Sequence, residues 1–100
     1  MLNKEELAEL DVLLEFKSTC CGVCRKMAPL VNKLVANHTD VRFVDLLTDD
    51  EEIGEEVVEL ATKFHVSTLP TFLHLVDGQV VGQVSGFKQL TQLETDLKLA

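Results

Sequence analysis

The run VLLEF, Val12 to Phe16, holds four apolar side chains and one carboxylate, with no alternation between apolar and polar positions. A strand wet on one face alternates; a strand covered on both faces does not. Such a strand requires a layer above it and another below. The next pattern along the chain supplies one of them. Cys24, Met27, Ala28, Val31, Leu34 and Val35 recur at helical spacing. Pro29 falls inside that helix and, lacking an N–H, is expected to bend it.

The same alternation of element types continues to the C-terminus. VRFVDLL, Val41 to Leu47, reads as a second strand. Thr48 and Glu51 have the spacing of a capping box, predicting a helix from there to about Phe64. Its apolar stripe is Ile53, Val57, Leu60, Ala61 and Phe64, and Glu51, Glu52, Glu55, Glu56 and Glu59 fall on the other side. TFLHLV, then Asp77-Gly78, then VVGQV read as a hairpin whose turn wants positive φ. Leu90, Leu93 and Leu97 mark a last helix. At the other end, Asn3 with Glu6 and Leu2 with Leu7 suit the start of a short first helix, as a cap and a hydrophobic staple. The order α-β-α-β-α-β-β-α is that of an α/β sandwich built on a mixed sheet. With no repeat, linker or low-complexity tract, one domain over residues 1–100 is expected.

Composition narrows what such a domain does. The formal net charge is −8, which repels phosphate backbones and anionic lipid, so neither nucleic acid nor membrane is an expected partner. No apolar run is long enough to span a bilayer, and MLNKEELAEL lacks the form of a secretory leader. A reducing, cytoplasmic setting is therefore expected. All three cysteines lie in CCGVC, Cys20 to Cys24, whereas a structural framework spreads an even number along the chain. A metal site or a redox pair remains. Zinc takes four ligands, and His38, His65 and His74 are scattered over three elements, so no metal is expected.

CCGVC falls where the strand VLLEF runs into the helix. A thiol at a helix N-terminus sits among unpaired N–H groups at the positive end of the macrodipole, which favours the thiolate. Cys21 and Cys24, three apart, share one helix face. Cys21 stands in the exposed first turn and Cys24 a turn deeper, giving one thiol to attack and one to resolve.

Here the chain resembles the thioredoxin family. Cys20-Cys21-Gly22-Val23-Cys24-Arg25 stands in place of the family's Trp-Cys-Gly-Pro-Cys-Lys. Pro29 matches its helix proline, VSTLPTF its cis-proline segment, Gly86 the glycine flanking its substrate groove, and Glu15 its buried aspartate. The resemblance implies thiol–disulfide exchange on protein disulfides through Cys21 and Cys24, with Glu15 assisting proton transfer. It implies a cis peptide at Leu69–Pro70 and a substrate surface of Gly22, Val23, Leu69, Pro70 and Gly86. It also implies no bound cofactor and a separate reductase as electron donor.

The departures are equally specific. The family's first strand is missing, so a four-stranded sheet is expected, and the open edge leaves monomer and weak dimer both open. TDDEEIGEE lengthens the loop and the third helix. Cys20 replaces the tryptophan, either as filler or as a regulatory thiol, and Val23 replaces the proline. Two further readings stand beside exchange: a binding module of this fold that no longer turns over, and a glutaredoxin-like protein that uses glutathione. His65 and His74 read as ordinary loop and strand residues.

Overall fold

The structure, a computed structural model, describes residues 11–99. The helix expected around Asn3 and Glu6 lies outside them. The described elements are β1 (Val12–Lys17), α1 (Gly22–Asn37), β2 (Arg42–Leu47), α2 (Gly54–Lys63), β3 (Thr71–Val76), β4 (Gln79–Ser85) and α3 (Leu90–Asp96). The sheet has four strands in the order β2-β1-β3-β4. β1 runs parallel to β2 and antiparallel to β3, and β3 and β4 form an antiparallel hairpin. This is the mixed four-stranded sheet the sequence implied.

Both faces of β1 are buried, which is why its sequence does not alternate. Val12, Leu14 and Phe16 point into one core with Leu46, Val57, Ala61, Leu73 and Leu75, on the side covered by α2. Leu13 points the other way, into a core with Met27, Val31 and Leu34 of α1, Phe72, Val84, and Leu93 and Leu97 at α3. Each fully buried side chain of this size contributes about 1.5–3 kcal/mol, so the two cores hold the helices to the sheet. Glu15 follows Leu13 by two and therefore faces the α1 layer.

α1 runs unbroken through Pro29. Its buried residues are Cys24, Met27, Val31 and Leu34; Ala28 and Pro29 are exposed, and Val35 is partly covered. The expected capping box at Thr48 does not form. Thr48 is held by the end of β1, its N–H donating to Lys17 O at 2.9 Å. Asp50 takes over, its Oδ1 accepting from the N–H groups of Glu52 at 2.8 Å and Ile53 at 3.0 Å. An aspartate competes well for such a turn, so α2 starts at Gly54, whose N–H donates to Asp50 O at 2.9 Å. The expected stripe holds, with Val57 and Ala61 buried and the glutamates outside.

Two helices end on a left-handed residue other than glycine. After α2, His65 has φ 58° and Val66 N–H reaches Ala61 O at 2.8 Å; after α3, Lys98 has φ 57° and Leu99 N–H reaches Glu94 O at 2.9 Å. Both satisfy orphan carbonyls in the Schellman manner. The hairpin turn is as expected, with φ 51° at Asp77 and 79° at Gly78.

His74 is more than an ordinary strand residue. It is 4% exposed, donates Nδ1–H to Leu97 O at 2.6 Å and pairs through Nε2 with Asp11. It thus ties β3 to the end of α3 and to the chain entering β1. Gly82 lets the same helix end approach: a Cβ there would meet Asp96 O and Leu97 Cα, both at 2.8 Å. Gly82→Ala should therefore destabilise the fold by about 1–3 kcal/mol, read as a lower urea midpoint at unchanged slope. An unchanged midpoint would show that α3 is free to shift.

Candidate functional site

Cys21 is the N-cap of α1, with φ −85° and ψ 105°, and its sulfur accepts the Cys24 N–H at 3.1 Å. Cys21 and Cys24 are joined by a disulfide, with their Cα atoms 5.2 Å apart. Cys21 is half-buried and Cys24 only 6% exposed. The first turn of a helix offers N–H groups that no carbonyl of its own can reach. An anionic Cys21 sulfur would rest on one of them and on the positive end of the helix. Of the two bonded cysteines, Cys21 keeps part of its surface exposed and Cys24 is buried.

The loop carrying this cap is fastened to the acidic segment. The Thr19 N–H donates to both carboxylate oxygens of Asp49 at 3.1 Å, and its hydroxyl donates to the same group. These bonds hold the Asp49 carboxyl below the usual carboxylate range, as the Ile53 and Glu52 N–H groups do for Asp50. Arg25 Nη1 donates to Thr19 O at 2.9 Å from the other side. Thr19, Arg25 and Asp49 were not among the expected site residues. Their spacing of 30 residues between Thr19 and Asp49 leaves no local signature. Cys20 is free and exposed.

Glu15 is buried, 2% exposed. It pairs across the ladder with Asp45 of β2 and Phe72 of β3. Glu15, Cys24 and Asp45 line one small cavity of about 70 Å³ together with Lys17 and Asn32. Burial away from water pushes the Glu15 carboxyl up to about 7; Lys17 opposes this, and the charge and hydrogen bond of Asp45 add to it. Lys17 Nζ is itself paired with Asp45 at 2.9 Å. The cavity that Cys24 lines is thus also lined by a carboxyl that burial holds well above the usual carboxylate range.

The other expected residues converge on the same end of the sheet. The Leu69–Pro70 peptide is cis, and Pro70 is buried ahead of β3. Gly86, with φ 80°, donates its N–H to Pro70 O at 2.9 Å, so the chain leaving β4 is tied to the proline loop. A Cβ on Gly86 would meet nothing within 4 Å, so its backbone conformation, not crowding, calls for glycine. Gly22 and Val23 are exposed in the first turn of α1. Among the described residues no three His, Cys, Asp or Glu side chains are grouped to hold a metal ion, and no helix is long and apolar enough to cross a membrane.

Comparison with known proteins agrees with this arrangement. The chain is 33% identical over 87 residues to mitochondrial thioredoxin-3 of Saccharomyces cerevisiae, covering 87% of this chain and 63% of the relative. It is 34% identical over 92 residues to the mitochondrial thioredoxin of Mus musculus, covering 91% of this chain and 52% of the relative. The chain thus spans about half to two thirds of the length of these relatives. The crystal structure of oxidised mitochondrial thioredoxin 3 from S. cerevisiae superposes with a TM-score of 0.79 at 31% identity, covering 95% of this chain and 84% of that one. The mitochondrial names of these relatives do not support the cytoplasmic setting expected from the sequence. The family model for thioredoxin matches residues 3–99, and with that match the chain belongs to the thioredoxin family.

Proposed function

We propose that this chain exchanges dithiol for disulfide with other proteins, using Cys21 and Cys24. The observation that carries the reading is the disulfide between a helix-capping, accessible Cys21 and a buried Cys24 one turn on. In the reduced protein the Cys21 thiolate attacks one sulfur of a substrate disulfide. A Cys21–substrate bond forms, the substrate S–S bond breaks, and the other substrate sulfur leaves as thiolate. Cys24 then loses its proton and attacks Cys21 Sγ, closing Cys21–Cys24 and expelling the second substrate thiolate. Two electrons pass to the substrate, and a separate reductase must return them. Gly22, Val23, Leu69, Pro70 and Gly86 form the surface the substrate crosses, with the Leu69 backbone pairing to its extended chain.

Glu15 takes the proton from Cys24 in the second step. Its carboxyl at about 7 lies close enough to an ordinary thiol for that transfer near neutral pH. The cavity between them has room for a bridging water. Neither the binding-module reading nor the glutaredoxin-like reading is favoured by any feature of the site or by the thioredoxin relatives. A reducing compartment suits the reaction.

The test is reduction of a disulfide-linked peptide pair with dithiothreitol as electron source. Turnover that exceeds the dithiothreitol background and disappears in Cys21→Ser supports exchange; absence of turnover sinks it. The order of the thiols is checked separately. With Cys20 replaced by serine, the reduced protein should take up iodoacetamide at Cys21 before Cys24 near neutral pH. Labelling of Cys24 first would reverse the roles given to the two cysteines.

A further inference from the structure

Two of the large apolar side chains left exposed stand together beside the cysteines: Val23 at 39% and Phe87 at 45%. They are 64 positions apart in sequence but line one open cleft of about 340 Å³ with Lys26. Val23 lies two residues past Cys21, so the cleft begins within the first turn of α1. Phe87 follows Gly86, whose N–H is held by Pro70 O at 2.9 Å. The cleft therefore flanks the path between Cys21 and the Leu69–Pro70 loop.

Its chemistry differs from that of the remaining surface. The chain has a net charge of −8, and the groove beside α2 is lined by Asp49, Asp50, Glu51, Glu55 and Glu59. Among the described residues no carboxylate lines the Val23–Phe87 cleft, and the one ionised group there is Lys26. Lys26 is exposed and makes no hydrogen bond or ion pair among the described residues. Two apolar walls and one ammonium without a partner among the described residues suit an apolar side chain with a carboxylate next to it. The net negative charge acts against an acidic partner at long range, but salt screens charges beyond about 8 Å. At contact, the nearby ammonium decides.

We propose that the Val23–Lys26–Phe87 cleft selects disulfide substrates whose cysteine is flanked by an apolar residue and an acidic one. This rests on the exchange reading above and names its substrate class. An extended peptide entering over Cys21 would lay the apolar side chain between Val23 and Phe87 and bring the carboxylate to Lys26 Nζ.

The experiment compares three disulfide-linked peptides, reduced with dithiothreitol as electron source, in which leucine and glutamate, leucine and lysine, or serine and glycine adjoin the cysteine. The kcat/KM for the leucine–glutamate peptide should exceed that for serine–glycine by about tenfold, with leucine–lysine between them. Phe87→Ala should bring the leucine–glutamate to serine–glycine ratio within about twofold, since half-exposed ring area is what it removes. Lys26→Glu should invert the order of the glutamate and lysine peptides; thermal melts of both variants check folding. Equal rates on all three peptides, or ratios unmoved by both variants, would overturn the cleft while leaving exchange intact. No reduction of any peptide, nor of hydroxyethyl disulfide, would overturn both. Self-association of the wild type that Phe87→Ala abolishes would assign the cleft to a second copy of the chain and overturn the substrate proposal.

Discussion

Cys24→Ser should leave the protein covalently attached to its substrate. With Cys20 also replaced by serine, so that the exposed neighbour cannot stand in, Cys21 keeps its place as the N-cap of α1. It still attacks, and one substrate sulfur still leaves. The serine hydroxyl is far less acidic than a thiol and does not displace sulfur, so the reaction halts at the mixed disulfide. Mass spectrometry without reductant should show the protein plus one half of the peptide, and turnover should fall by roughly 10³-fold or more, as for removal of a nucleophile. Cys21→Ser should lose turnover to the same degree but form no adduct, because Cys24 is only 6% exposed. Equal adduct formation by the Cys21→Ser and Cys24→Ser proteins, both lacking Cys20, would mean that depth does not separate their roles.

That asymmetry was legible in the sequence because it depends on local rules. A strand without alternation, a cap position and a three-residue spacing place one sulfur outside and the other inside. The burial of Glu15 was legible for the same reason, since both of its neighbours in VLLEF are apolar, whereas its place in the site was implied only by the family resemblance. What sequence spacing could not show were meetings across the sheet. Asp45 comes beside Glu15 only through the register of β1 on β2. Thr19 meets Asp49, and Val23 meets Phe87, because the ends of several elements gather at one edge. Thr48 failed as a helix cap for a related reason. The end of β1 claims Thr48, and Asp50 two residues on offers the better turn. His74 read as an ordinary strand residue, and nothing in the sequence signalled that its partners lie in the entry to β1 and at the end of α3.

Glu15→Gln should change stability and kinetics in separable ways. The folded Glu15 carboxyl titrates at about 7 against a reference of 4.5, chiefly because burial disfavours its charge. Between those values the folded chain holds a proton that the unfolded chain has released, so stability falls as pH rises from about 4.5 through 7. Well above pH 7 the full cost stands, on the order of 3 kcal/mol. Glutamine keeps the shape and cannot ionise. The variant should therefore nearly match the wild type in urea unfolding near pH 4.5 and be the more stable by about 3 kcal/mol at pH 8. A difference that stays constant across this range would mean that Glu15 keeps its ordinary acidity despite its 2% exposure. The kinetic effect has the opposite sense. If Glu15 draws the proton from Cys24, the same substitution slows release of substrate from the mixed disulfide, by about 10²-fold for loss of a general base. Alkylation of Cys21 should hardly change, because the N–H groups and the helix end that hold its sulfur are untouched. A group buried at a cost to stability, yet needed for the second step, gives a variant that is more stable and slower. Release at the wild-type rate from pH 6 to 8 would leave Glu15 only its place in the core.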